Sequence, residues 1–410
     1  MLPLILETLV KIALVVFGLL TAAAYLVLLE RWIAAWVQDR LGPNRVGVPL
    51  TRISLWGLGQ PLADGVKLLL KEDITPDHVD KVLYYLGPLT IFSAALGVYA
   101  AIPFGSVLPR DVHLEGVRQP IQLVIAPGLD VGIVYVLAVA SLAVYGVLLG
   151  SWASNNKFSF LGGLRSGAQL ISYEIPMGLG VLAVVLMAGS LRLETIIGQQ
   201  AQSGVWNAFV QPLGLVVFVT AAFAESGRLP FDLYEAEQEL VAGFTTEYSG
   251  VKLMLYLTSE FLHMVTAAFL IVILYLGGWH FWGLTGSSDD VTWLGAILRV
   301  AVLWAKVLAV ILFFMLARWS WPRFRFDQLM NLAWKIMLPL GLVNLVVVAA
   351  WAEYAAWVGR GFRAPQWAAM AATGWLAFVG CWIAITLWGP AETDNRPRLE
   401  PAPGLGYDEE

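Results

Sequence analysis

Residues 251–277 read VKLMLYLTSEFLHMVTAAFLIVILYLG, an apolar run whose one acidic residue is Glu260. At about 1.5 Å per helical residue, such a run is long enough to cross the roughly 30 Å hydrocarbon core of a bilayer. Similar runs occur near residues 4–29, 84–104, 131–151, 171–190, 205–224, 294–317, 331–352 and 367–388. The whole chain agrees with this reading. Of its 410 residues 59% are hydrophobic and 13% charged, and its mean hydropathy is +0.72. Soluble domains carry about 25% charged residues, so a solvated surface cannot be built. The fold class that follows is all-α, a polytopic transmembrane helix bundle of about nine spans. The first run carries Glu7 and Lys11 in place of a basic leader and continues into Glu30-Arg31 without a small-residue cleavage site. It reads as a retained span and not as a signal peptide.

Several functions are excluded by what is scarce. The net charge is −5 and the 25 Lys and Arg are dispersed, so no basic stripe offers itself to nucleic acid. Cys381 stands alone, and His78, His113, His263 and His280 show no metal-ligand spacing, so no metal site is expected and any redox centre must lie in another chain. Internal repeats are not evident. With the N-terminus outside, 17 of the 25 basic residues fall at or near the cytoplasmic face, which favours that orientation with the C-terminus inside. Trp32, Trp36, Trp152, Trp279, Trp319, Trp321 and Trp388 sit near span ends, as membrane anchors do. The segment after Gly389, rich in Pro and acidic residues, reads as a flexible tail.

The cytoplasmic loops hold the chemistry. After the first span DRLGPNRVG (39–47) supplies a turn, and 60–73 reads as a short interfacial helix with Leu62, Val66, Leu69 and Leu70 on one face and Asp64, Lys67 and Lys71 on another. A membrane-surface anchor with solvated charges fits the same pattern. Between the fifth and sixth spans the chain runs ESGRLPFDLYEAEQEL (225–240), then Phe244, Glu247 and Tyr248. Pro230 can open a helix, which would set Asp232, Glu235 and Glu239 on one side, with Leu233, Leu240 and Phe244 on the other. Like charges at these spacings repel, and beside a membrane some would hold protons near neutral pH. A solvated acidic face is the simpler account, weakened by the interleaved apolar residues.

Ionisable residues also stand where the bilayer penalises them: Glu30 at the inner end of the first span, Glu174 in the first turns of the fourth, Glu260 inside the sixth and Lys306 inside the seventh. A charge at a helix centre costs about 2.5–3.5 kcal/mol on insertion scales. A protonatable relay facing the bundle interior is the functional reading, and a buried structural ion pair the alternative. Glu30 could also reach the headgroups beside Arg31.

Four blocks in order, namely DRLGPNRVG with QPLADGVK (60–67) and KED (71–73), GSWASNNK (150–157) through SYEIP (172–176), Glu225 to Tyr248, and PRFRFDQLM (322–330), resemble the quinone-seating membrane component of bacterial respiratory complex I, the H subunit of the proton-pumping NADH:quinone oxidoreductase. The likeness covers roughly residues 1–350. It implies a family-like core over 1–352 with quinone-chamber loops, an additional C-terminal helix over 353–388, and a flexible cytoplasmic tail over 389–410. It further implies a multi-pass protein of the bacterial inner membrane that docks under a peripheral arm and admits quinone as substrate.

By position the resemblance assigns Arg31, Arg40, Arg45, Asp64, Lys67, Arg228 and Phe231 to quinone binding. A proton relay is assigned to Glu30, Glu174, Glu225, Asp232, Glu235, Glu237, Glu239, Glu247 and Glu260. The implied partners are the soluble subunit carrying the terminal iron–sulfur cluster, the soluble quinone-site subunit, small and antiporter-like membrane subunits, and membrane lipid. FMN and iron–sulfur clusters would reside in those partners, with no cofactor bound by this chain alone.

Two features depart from the family pattern. Residues 48–56 (VPLTRISLW) make a longer link at the expected tunnel mouth, which they would line or narrow, and the ninth span with Cys381 would serve lateral packing or assembly. Two other functions stay open from sequence. One is the related subunit of a membrane-bound hydrogenase or of a ferredoxin- or deazaflavin-linked dehydrogenase. The other is a stand-alone secondary transporter, disfavoured because charge crowds one face and repeats are not evident.

Overall fold

A computed structural model describes residues 2–47, 56–108, 121–232, 237–285, 292–357 and 364–388. Fourteen helices follow in order: α1 Leu2–Val37, α2 Gln60–Leu70, α3 Lys81–Gly97, α4 Gly132–Ala153, α5 Lys157–Ala188, α6 Leu193–Ser203, α7 Asn207–Val210, α8 Pro212–Glu225, α9 Glu237–Leu240, α10 Gly250–Tyr275, α11 Trp293–Ser320, α12 Phe326–Asn331, α13 Leu338–Trp357 and α14 Ala364–Trp388. A π-helical turn, Leu332–Met337, joins α12 to α13. Three 3-10 turns (Val98–Ala100, Gly243–Thr245 and Trp282–Leu284) and one small antiparallel pair, β1 (Val107–Leu108) and β2 (Ile121–Gln122), complete the secondary structure among the described residues. Among the described residues, eight helical segments are long and apolar enough to cross a membrane, and Pro212–Glu225 is a shorter apolar helix.

The apolar run 251–277 forms α10, the centre of the bundle. Every residue from Met264 to Tyr275 is buried, as expected of a helix that is apolar on all sides. Its far end is closed by α11. The Lys306 ammonium donates to the carbonyls of Leu276 at 2.6 Å, Gly278 at 3.0 Å and His280 at 2.6 Å, and lies 4.4 Å from the centroid of the Trp206 ring. This costly charge therefore caps the end of α10. On another side α3 and α4 touch through glycine: a Cβ on Gly146 would lie 2.8 Å from the Ile91 nitrogen, so only small residues permit the approach. The periphery is the reverse of α10, since Trp367 and Met370 are the buried side chains described in α14.

Three expectations need correction. The fourth span starts at Lys157, capped by Asn156, whose side chain accepts from the Phe158 amide; Glu174 therefore lies mid-helix and not in the first turns. The fifth span is broken. Gln211 takes φ −126° and ψ 64°, and Pro212 then opens a 14-residue helix, about 21 Å long and too short to cross alone. Finally, Pro230 opens no helix over the described residues 230–232. The Phe231 amide closes a turn onto the Arg228 carbonyl, a short helix is described at Glu237–Leu240, and Val241 and Gly243 follow at φ 66° and 55°; residues 233–236 lie outside the described residues. Asp232 and Glu239 take separate partners, Arg323 and Arg165.

Candidate functional site

The loop after α1 folds back on its own helix. Trp32 donates its indole N–H to the Pro43 carbonyl at 3.0 Å, and a Cβ on Gly42 would meet the Trp32 ring at 2.6 Å. Between this loop, α1, α10 and the end of α11 lies a cavity of about 890 Å³. Its polar wall carries Glu30, Arg31, Arg40, Arg45, Arg228, Glu260 and Arg318, and its apolar wall includes Val27, Leu41, Leu257, Phe261 and Trp319. Five guanidinium groups thus face two carboxylates.

Glu30 is the hub of that wall. It is 6% exposed; Arg228 reaches one carboxylate oxygen at 2.7 Å and Arg318 pairs with the other. Arg228 also stacks over the Phe261 ring at 4.1 Å, which suits a desolvated guanidinium. Position comes from α5: the Gln169 amide donates to the carbonyls of Ala224 at 2.9 Å and Phe231 at 2.7 Å, tying the end of α8 to the turn that presents Arg228.

Glu260 belongs to a second space as well. A cavity of about 40 Å³ is lined by Glu260, His263, Glu174, Glu225, Ser166 and Ser226 among apolar neighbours, and a further one of about 10 Å³ again touches Glu225, Ser226 and His263. About 10–15 Å³ accommodates one water, so the first of these can be wet.

The other residues singled out from sequence take local roles. Asp64 and Lys67 do not line the large cavity; Asp64 pairs with Arg31 at 2.6 Å and accepts from Gln60, latching α2 to α1. Phe231 is buried edge-on to Tyr173 at 5.7 Å and beside Phe324, and it too is outside the cavity lining. Asp232 meets Arg323 at 3.3 Å, and Glu239 meets Arg165 at 2.6 Å on the surface. Glu247 accepts from Asn156 at 2.5 Å, next to Tyr248, whose phenol is pushed up to about 12 by burial. Glu235, the side chain of Glu237, residues 48–55 and the tail after Trp388 lie outside the described residues. Among the described residues no three His, Cys, Asp or Glu side chains converge as metal ligands would.

Comparison with known proteins follows the same outline. The model of the family described as NADH dehydrogenase matches residues 10–349. The chain belongs to that family. It is 47% identical over 339 residues to an NADH-quinone oxidoreductase H subunit of Geobacter metallireducens, covering 83% of this chain and 94% of that one. It is 43% identical to the H subunit of Leptospira biflexa, covering 84% and 94%, and 44% identical to an H subunit of Syntrophobacter fumaroxidans, covering 85% and 96%. The NADH dehydrogenase match ends within α13, so α14 lies beyond it.

Sequence reasoning missed Arg318, Arg323 and His263 as members of the site. For Arg318 a signal existed: a carboxylate as deep as Glu30 needs a cation, and Arg318 stands at the same end of its span. His263, one turn beyond Glu260 on α10, enters the sequence reading only as a metal ligand to be excluded.

Proposed function

We propose that this chain, a membrane subunit of a multisubunit NADH-quinone oxidoreductase, seats quinone in the 890 Å³ cavity and couples its reduction to proton movement through Glu260. The observation that carries this reading is that Glu260 is common to the walls of the large cavity and of the small one holding Glu174 and Glu225. A ring would lie against Phe261 and Trp319, with its oxygens toward the arginines. Electrons delivered by a partner protein put negative charge on those oxygens. The excess of guanidinium groups stabilises it, because fixed cations in a confined site act strongly where charge develops. A proton leaves the Glu260 carboxylic acid toward the reduced quinone. Glu260, now a carboxylate, is reprotonated from the side of Glu174 and Glu225, so each quinone turnover draws charge through the bundle.

In this reading the cavity faces the cytoplasmic side of a bacterial inner membrane, with the N-terminus outside and the C-terminus inside. A soluble subunit that carries the terminal iron–sulfur cluster covers it, together with the soluble quinone-site subunit. Neighbouring small and antiporter-like membrane subunits receive the charge displacement, and FMN and the iron–sulfur clusters belong to partners. The names of the relatives favour this enzyme over a hydrogenase-type complex. The test is Glu260→Gln in the assembled complex. Proton translocation should fall at least tenfold with normal assembly; wild-type pumping would remove Glu260 from the relay and overturn the reading.

A further inference from the structure

The proposed relay consists of carboxylates, yet a histidine stands among them. His263 follows Glu260 by three residues on α10, so both side chains leave the same face of the helix. It lines the 40 Å³ cavity with Glu174, Glu225 and Glu260, and the 10 Å³ cavity with Glu225. Its Nε2 atom is buried and has no hydrogen-bond partner among the described residues. A packed structural histidine normally satisfies both ring nitrogens, since a dry unpaired one is unfavourable. Here the nitrogen belongs to a residue lining a space that three carboxyl residues also line and that is large enough for water.

We propose that His263 is a relay residue that carries protons between Glu225 and Glu260 through water in these cavities. This rests on the quinone-coupled reading of Glu260. The chemistry needed is that of a group able to accept at one atom while donating at another, which the neutral imidazole ring supplies and an ionised carboxylate, acceptor only, does not. The Glu225 carboxylic acid gives its proton by way of a water to a ring nitrogen, leaving a carboxylate and an imidazolium. The imidazolium then releases a proton from its other nitrogen to the Glu260 carboxylate, restoring the neutral ring. Net charge in the chamber is conserved over the two steps.

A transient imidazolium in a buried chamber needs anionic neighbours. The groups that face it are Glu174 from α5, Glu225 from α8 and Glu260 from its own helix; α4 contributes only apolar side chains such as Ala140 and Val144. The ionisable groups lining that chamber besides His263 are thus carboxyls, each able to stabilise the cation when ionised.

The test uses His263→Gln and His263→Phe in the assembled complex, with Glu225→Gln as companion. Amount of complex, proton translocation and the pH dependence of turnover are measured. Both histidine variants should assemble normally, translocate protons at least fivefold more slowly and lose an ionisation present in the wild-type pH profile. Wild-type pumping with an unchanged pH profile in either variant overturns the proposal, as does a loss of pumping that merely follows a loss of assembled complex. A defect in Glu225→Gln beside normal His263→Gln rejects His263 alone. Normal pumping in both rejects the carboxylate relay itself.

Discussion

Arg228 and Glu30, 198 residues apart, meet at 2.7 Å with both side chains almost fully buried, and Arg318 shares the same carboxylate. Three elements converge there: α1, the turn after α8 and the end of α11. Two cations on one anion leave a net positive charge beside the large cavity, which suits a ligand that gains electrons.

Removing the anion from this triad should therefore be worse than removing a surface pair. Breaking one partner of a buried ion pair costs about 3–5 kcal/mol, because it strands a desolvated charge. Glu30→Ala is expected to lower the melting temperature of the assembled complex and to reduce quinone turnover severalfold. Glu30→Asp should recover part of both. A thermal unfolding curve of Glu30→Ala matching the wild type would show that water already serves the two guanidinium groups.

Asp64 gives the contrasting case. Its partner Arg31 is nearly half exposed, so the pair at 2.6 Å is worth about 1 kcal/mol or less to stability. Its expected importance is positional, because α2 carries Gln60 into the cavity wall. Asp64→Asn should leave the melting temperature within a degree or two and raise the quinone KM two- to fivefold, with kcat little changed. A parallel fall in kcat would mean that Asp64 acts on the chemical step.

How much of this was readable from the chain follows from what each signal depends on. The apolar run 251–277 was legible as a span because bilayer thickness sets its length, and it became the buried α10. Glu260 was legible because an intramembrane carboxylate is costly wherever it faces. The partner of Asp232 was not, because spacing along an expected helix does not point to Arg323, 91 residues away. The break at Gln211 had one signal, Pro212, but residues 205–224 are continuous in hydropathy and membrane helices tolerate proline, as α3 does at Pro88 and α5 at Pro176. Lys306 looked like a relay candidate or an ion pair, and proved to hold carbonyls, which carry no signature in sequence.

His280 lies in the loop beyond α10, outside the spans. Burial first, then the charges of Lys306 and Arg299, hold its imidazole below the ordinary histidine value. The unfolded chain, with an ordinary pKa near 6.5, then binds more protons than the folded one as pH falls below that value, so stability should drop there and be insensitive above it. His280→Gln is expected to flatten the fall in melting temperature between about pH 6.5 and pH 5. An unchanged slope would assign the acid sensitivity to other groups.

Lys306 separates capping from coupling. Its ammonium satisfies three carbonyls at the end of α10, and hydrogen bonds to a charged group contribute about 1.5–3 kcal/mol each, though not additively. Lys306→Met keeps the length of the stem and removes every donor. Such a complex should assemble in markedly lower yield or melt several degrees earlier. Lys306→Arg should restore part of the loss if the fork can reach two of the carbonyls. The complex that does assemble should move the wild-type number of protons per electron pair, because the donors hold backbone and no carboxylate is among their partners in these three bonds. A stable Lys306→Met complex with reduced proton stoichiometry would reverse that assignment and return Lys306 to the proton path.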